Sequence, residues 1–186
     1  MKISSSITIL FFVLAVSGCS HVAPRYSISA NNVESLRAAT ANGTEKVAIE
    51  QFTTFESGLS SIGCRAAGPV QTPDGTTFEK YIQDAISSEL KIAQAFSKES
   101  SIRLNGRLDY ITFNSNIFAG NWQIDMTFSG ATVQPFTINT VYPFSTNFAA
   151  AVACEQVAAA LPAAVQDLIA KLIAHPSFQK IVSQAQ

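Results

Sequence analysis

Between positions 78 and 96 the apolar residues Phe78, Ile82, Ile86, Leu90, Ala93 and Phe96 recur at intervals of 4, 4, 4, 3 and 3. That is the repeat of an α-helix with one apolar face, and Gln83, Asp84, Ser87, Ser88 and Lys91 fall mostly off it. Thr76 and Glu79 have the spacing of a capping box, in which the two side chains close the first turn. Beyond the helix the period changes to two. Ile102, Leu104, Leu108 and Tyr110 alternate with Arg103, Asn105, Arg107 and Asp109; Trp122, Ile124, Met126 and Phe128 alternate with Gln123, Asp125, Thr127 and Ser129. Phe136, Ile138 and Tyr142 continue the pattern against Thr137, Asn139 and Val141. Such alternation predicts strands with one buried and one wet face, joined by short turns into a three-stranded antiparallel meander.

A second helix is expected over residues 147–174, where Val157, Leu161, Val165, Leu168 and Leu172 form a stripe and Cys154 lies near it. Pro162 interrupts that helix without shifting the stripe, which predicts one bent helix. His175-Pro176 ends it, leaving residues 177–186 as a short tail. Upstream, Asn31-Asn32-Val33-Glu34 and Asn42-Gly43 bracket a helix of about two turns. Residues 45–52 (EKVAIEQF) read as a mostly buried strand. Residues 53–75 carry Gly58, Gly63, Gly68, Pro69, Pro73 and Asp74-Gly75 and no clear period, and so read as a long loop.

The resulting order, β-α-β-β-β-α, predicts an α+β two-layer sandwich. About four strands form a mixed sheet with two long helices on one face, and the first strand runs parallel to its neighbour. Charge adds little: net −1, with charged residues at 13% of the chain, argues against a nucleic-acid surface. Hydrophobic residues at 47% argue against disorder.

The N-terminus, MKISSSITILFFVLAVSGCS, has Lys2 ahead of a ten-residue run, Ile7 to Val16, that is apolar apart from Thr8. Ten helical residues cover about half of a roughly 30 Å hydrocarbon core, the length of a signal-peptide h-region. Val16-Ser17-Gly18-Cys19 follows, and it resembles the lipobox of bacterial lipoproteins. The resemblance implies cleavage after residue 18 and acylation of Cys19, with Ser20 in the next position pointing to the outer membrane in many two-membrane bacteria. An ordinary signal peptide with an incidental Cys19 is the alternative. Residues 20–31 (SHVAPRYSISAN) then read as a tether, and 32–186 as one domain.

With Cys19 lipidated, Cys64 and Cys154 remain as an even pair in an oxidising compartment, so a disulfide is expected, two buried thiols being the alternative. There is no CxxC, and His21 and His175 have no zinc-ligand spacing, so no metal or cofactor is expected. No nucleophile–base constellation appears either; His175, next to a proline at a helix end, reads as a residue favourable to the helix dipole. The wet strand faces place Arg103, Arg107, Asp109 and Asp125 on one mixed-charge surface that could orient a partner. Phe55, Phe113 and Phe118 belong to no buried face. Phe118, on a greasy loop tip, joins this candidate partner surface as a contact for membrane or partner, a loop folded back over a core edge being the alternative.

In layout alone, residues 45–175 are similar to small envelope lipoproteins. Among these are the auxiliary lipoproteins of lipid-trafficking ABC systems and the lipoprotein subunit of lipopolysaccharide export. The expectation is a non-enzymatic, periplasm-facing outer-membrane lipoprotein that serves envelope assembly or transport through a protein partner. The alternative is a carrier binding an apolar ligand, such as a lipid, between sheet and helices.

Overall fold

The computed structural model describes residues 20–40, 46–55 and 58–183. The signal segment with Cys19 and the Asn42-Gly43 stop lie outside the described residues.

Three long strands, β6 (Ile102–Asn114), β7 (Ala119–Gly130) and β8 (Val133–Ser145), form the antiparallel meander. Two shorter strands, β2 (Val47–Ile49) and β3 (Thr53–Thr54), both run parallel to β6, giving a five-stranded mixed sheet. Helices α2 (Phe78–Ile92) and α3 (Ala150–Ala174) cover the apolar sheet face. The fold is therefore α+β with mixed sheets, as the change of period predicts. Alternation places Leu104, Leu108, Trp122, Ile124, Met126 and Phe128 inward, each essentially inaccessible to water. The Trp122 indole donates to the Val157 carbonyl at 2.9 Å, so sheet and α3 are bonded as well as packed. Helix α3 continues through Pro162, and its length and hydropathy suffice to cross a membrane. Its stripe, Val157, Leu161, Val165, Leu168 and Leu172, is instead buried in this core.

Four local expectations are corrected. The capping box does not form: Thr77 takes the cap position of α2 without a side-chain bond, and the Thr76 hydroxyl donates to Pro73 O at 3.1 Å. The expected loop 53–75 contains β3, β4 (Ser61–Gly63) and β5 (Pro69–Gln71). The tail after His175 is a helix, α4 (Pro176–Val182), whose Phe178, Ile181 and Val182 are buried. His175 serves that helix: its Nδ1 accepts from the Ser177 amide at 3.2 Å while its ring stacks on Phe136 at 4.4 Å.

The fourth correction concerns residues 20–29, which are not a free tether. β1 (His21–Val22) pairs in parallel with β5, making a small sheet of order β1-β5-β4. The chain then passes along α3 to α1 (Ala30–Thr40), which packs on α2 and α3. The Cys64–Cys154 disulfide joins the small sheet to the start of α3.

One glycine fixes the far end of the meander. A Cβ on Gly120 would stand 2.6 Å from the Asn114 carbonyl oxygen, the Phe144 ring and the Thr146 methyl. Backbone cannot yield as a flexible side chain does, so Gly120→Ala should cost about 1–3 kcal/mol by overpacking. Thermal unfolding read by circular dichroism would test this; an unchanged midpoint would contradict it.

Candidate functional site

The second face of the meander is open to solvent, and cross-strand rows of polar side chains organise it. Arg107, Thr127 and Thr137 form one row; Tyr110, Asp125 and Asn139 form the next. The Arg107 guanidinium pairs with Asp109 at 2.5 Å, and Asp109 in turn accepts from the Thr127 hydroxyl at 2.6 Å. Thr127 and Thr137 hydroxyls lie 3.2 Å apart. The same guanidinium sits 4.9 Å from the centre of the Phe55 ring, a cation–π contact covering one side of an aromatic that is 73% exposed. Arg103 pairs with Glu50 of the neighbouring β2 end at 2.6 Å.

Asp125 departs from the expectation of a freely solvated carboxylate. It is half-buried, with Oδ2 accepting from Gln123 at 3.3 Å and Oδ1 shielded from water without a protein partner. Arg103 and Arg107 are the accessible charges of this face.

A β-bulge corrects two aromatic assignments. Pairing with β7 shifts between Leu108 and Tyr110, leaving Asp109 as the extra residue. One inserted residue inverts every later side chain, because the strand repeat is two. Tyr110, expected inside, is therefore 51% exposed, while Ile111 is buried. Phe113, expected outside, packs edge-on against Trp122 with centroids 5.0 Å apart.

Phe118 is 90% exposed at the β6–β7 hairpin tip. It lies past Asn114, seven residues beyond Arg107 and so about 23 Å along the strand. The five predicted surface residues thus divide between a polar face and an apolar tip. Phe148, which the sequence reading missed, stands 80% exposed just before α3 and joins Phe118 at the tip. Its one signal was a large apolar residue lying off the α3 stripe.

Arg65 holds that end together. Its guanidinium donates to the carbonyls of Asn147 at 3.2 Å, Phe148 at 3.1 Å and Ser115. The Thr146 hydroxyl also donates to the Asn116 carbonyl. Arg65 adjoins Cys64, so the disulfide and this clamp fix one loop against both connections.

The remaining polar cluster is internal. Glu89 on α2 is fully buried, and its Oε1 accepts from the Tyr26 hydroxyl, the Ser29 amide at 3.0 Å and Asn32 Nδ2 at 3.4 Å. Its Oε2 has no protein partner. Burial raises the Glu89 pKa, against the lowering effect of those three hydrogen bonds. Burial also raises the Tyr26 hydroxyl, with Glu89's hydrogen bond and charge adding to it, and raises that of Tyr81. Asn32 Nδ2 further donates to Gln166 O at 3.0 Å, and Gln166 Nε2 to Ser27 O at 2.9 Å. The cluster fastens residues 26–32 to α2 and α3. Among the described residues, no group of three or more His, Cys, Asp or Glu side chains could hold a metal ion.

No protein-family model matches the chain, and no curated protein matches it. Among solved structures it is similar to protein XCC0632 from Xanthomonas campestris, of the family DUF330, with a TM-score of 0.53 and 11% identity. The match covers 90% of this chain and 100% of that one. At this identity the likeness extends to the fold and carries no residue role across.

Proposed function

We propose that this chain is a lipoprotein anchored through Cys19 to the outer membrane and facing the periplasm. There it works as a non-enzymatic accessory of envelope assembly or transport, docking a protein partner on the open face of β6, β7 and β8. The observation that carries this reading is that face itself: long strands, one side wholly committed to the core, the other offering Arg103, Arg107, Tyr110 and a hydroxyl row to solvent. Charge pairs at such a face set orientation more than affinity. The anchor rests on the lipobox Val16-Ser17-Gly18-Cys19. Against the carrier alternative, Phe78, Trp122 and Phe128 fill the space between the layers and are each fully buried.

The test has two arms. Intact mass of the membrane-extracted protein should show loss of residues 1–18 and addition of acyl groups; an unmodified soluble chain would overturn the anchor. Photo-crosslinking residues placed at Arg103 and Tyr110 should form protein adducts in intact envelopes, whereas one at Glu34 on α1 should not. Arg103→Gln with Arg107→Gln should abolish the adduct while changing stability by about 1 kcal/mol, since both arginine side chains are about half exposed and no like charge is set beside Glu50 or Asp109. Equal adducts from both sides would remove the sheet face from consideration.

A further inference from the structure

The first described residue, Ser20, is held on the domain. Its hydroxyl accepts from Gln71 Nε2 at 3.1 Å, and the following residue, His21, bonds the Ala67 carbonyl at 3.0 Å and pairs with Val70. Ser20 and His21 line a cleft with Glu155 and Ala158 of α3, whereas Ser27, further along, meets Gln166. The chain therefore runs alongside α3 in the same direction, and its start lies toward the helix N-terminus. Ala67 belongs to the turn carrying Cys64 and Arg65, and Arg65 clamps Ser115, Asn147 and Phe148. The chain entry, the disulfide, the start of α3 and the β6–β7 hairpin tip thus occupy one end of the molecule.

That end carries exposed apolar side chains: Phe118, Phe148, Ile117 and Val152. Solvent-exposed phenylalanines on two adjacent connections, with no charged side chain between Asn114 and Gly120, cost free energy in water and gain it in an acyl layer. Cys19 is one peptide unit from Ser20, about 3.8 Å between Cα atoms. With residues 20–29 bonded to the domain, an acyl group there has almost no free chain through which to stand off.

We infer that Phe118 and Phe148 are a second membrane contact beside the lipid, so that the domain sits with this end in the bilayer surface. The inference rests on the acylation of Cys19 proposed above. Acyl chains on one residue hold the protein to the membrane but leave its orientation free; apolar side chains next to them supply direction. The strands of the meander then rise from the membrane by about 40 Å, and the Arg103–Arg107 face points sideways toward a partner rather than into lipid.

Depth-dependent quenching tests this. The protein purified from membranes is placed in vesicles of phosphatidylethanolamine and phosphatidylglycerol containing brominated phospholipid. Trp122 is fully buried and supplies a constant background. Phe118→Trp and Phe148→Trp should each add fluorescence that brominated lipid quenches, whereas Tyr110→Trp on the sheet face should add fluorescence that it does not. A purified chain without acyl mass fails the Cys19 reading by itself; Cys19 is then coupled to a maleimide lipid and the quenching read as before. Unquenched tryptophans at 118 and 148 on vesicle-bound protein overturn the inference, as does equal quenching at 110.

Discussion

Replacing Cys64 and Cys154 together by alanine should lower unfolding stability by about 4–5 kcal/mol, the chain-entropy value for so long a loop. The two cysteines are separated by 90 residues, so the bond removes a large set of unfolded conformations. For a chain of this length the melting temperature should fall by about 8–20 °C. The loss will be felt at the tip, because Cys64 precedes Arg65, whose guanidinium ties Ser115, Asn147 and Phe148 into one end. Equilibrium denaturation with and without reductant gives the number. A midpoint shift equivalent to less than about 1 kcal/mol would mean that β4 and β5 hold the segment without the bond, at odds with the entropy argument.

Glu89→Ala should cost about 2–5 kcal/mol, because it leaves the Tyr26 hydroxyl and Ser29 amide as buried donors without acceptors. Glu89→Gln keeps the oxygen that accepts from Tyr26 and Ser29 but sets an amide without an acceptor where Oε2 lacks a partner, so it should cost stability, though less than Glu89→Ala. The two variants should also differ from the parent in pH dependence. Burial raises the Glu89 pKa above its unfolded value of about 4.3. Between those two values the folded protein holds a proton that the unfolded chain has released. The contribution of Glu89 is therefore full below the ordinary carboxylate range and is lost as pH rises through the raised value. Urea denaturation at a series of pH values from about 4 upward should show this slope in the parent and its absence in Glu89→Gln. A parent whose stability rises through that window by the amount Glu89→Gln removes would reverse the assigned direction.

Both effects bear on the proposed function through the same route. The Glu89 cluster fastens residues 26–32, the small sheet holds residues 20–23, and the disulfide fixes that sheet to α3. Together they fix Ser20, the residue that follows Cys19 in the chain, relative to the polar face.

Helix α2, the three long strands and the stripe of α3 were legible along the chain because each spends a regular repeat on one buried face. The Cys64–Cys154 pair was legible by count. What the chain alone could not show depends on residues far apart in sequence. Two-residue β1 has no period of its own and exists because β5 offers it hydrogen bonds. The α4 segment is too short to be stable alone and forms where Phe178 and Ile181 find the core. The bulge at Asp109 is a matter of register with β7, and it alone exchanged the places of Tyr110 and Phe113. The surface divided for the same reason: alternation says which side chains face water, but only the packing of hairpin tip, Arg65 clamp and chain entry says which of them stand together. Local periodicity determines what a residue turns toward; tertiary contacts determine who its neighbours are.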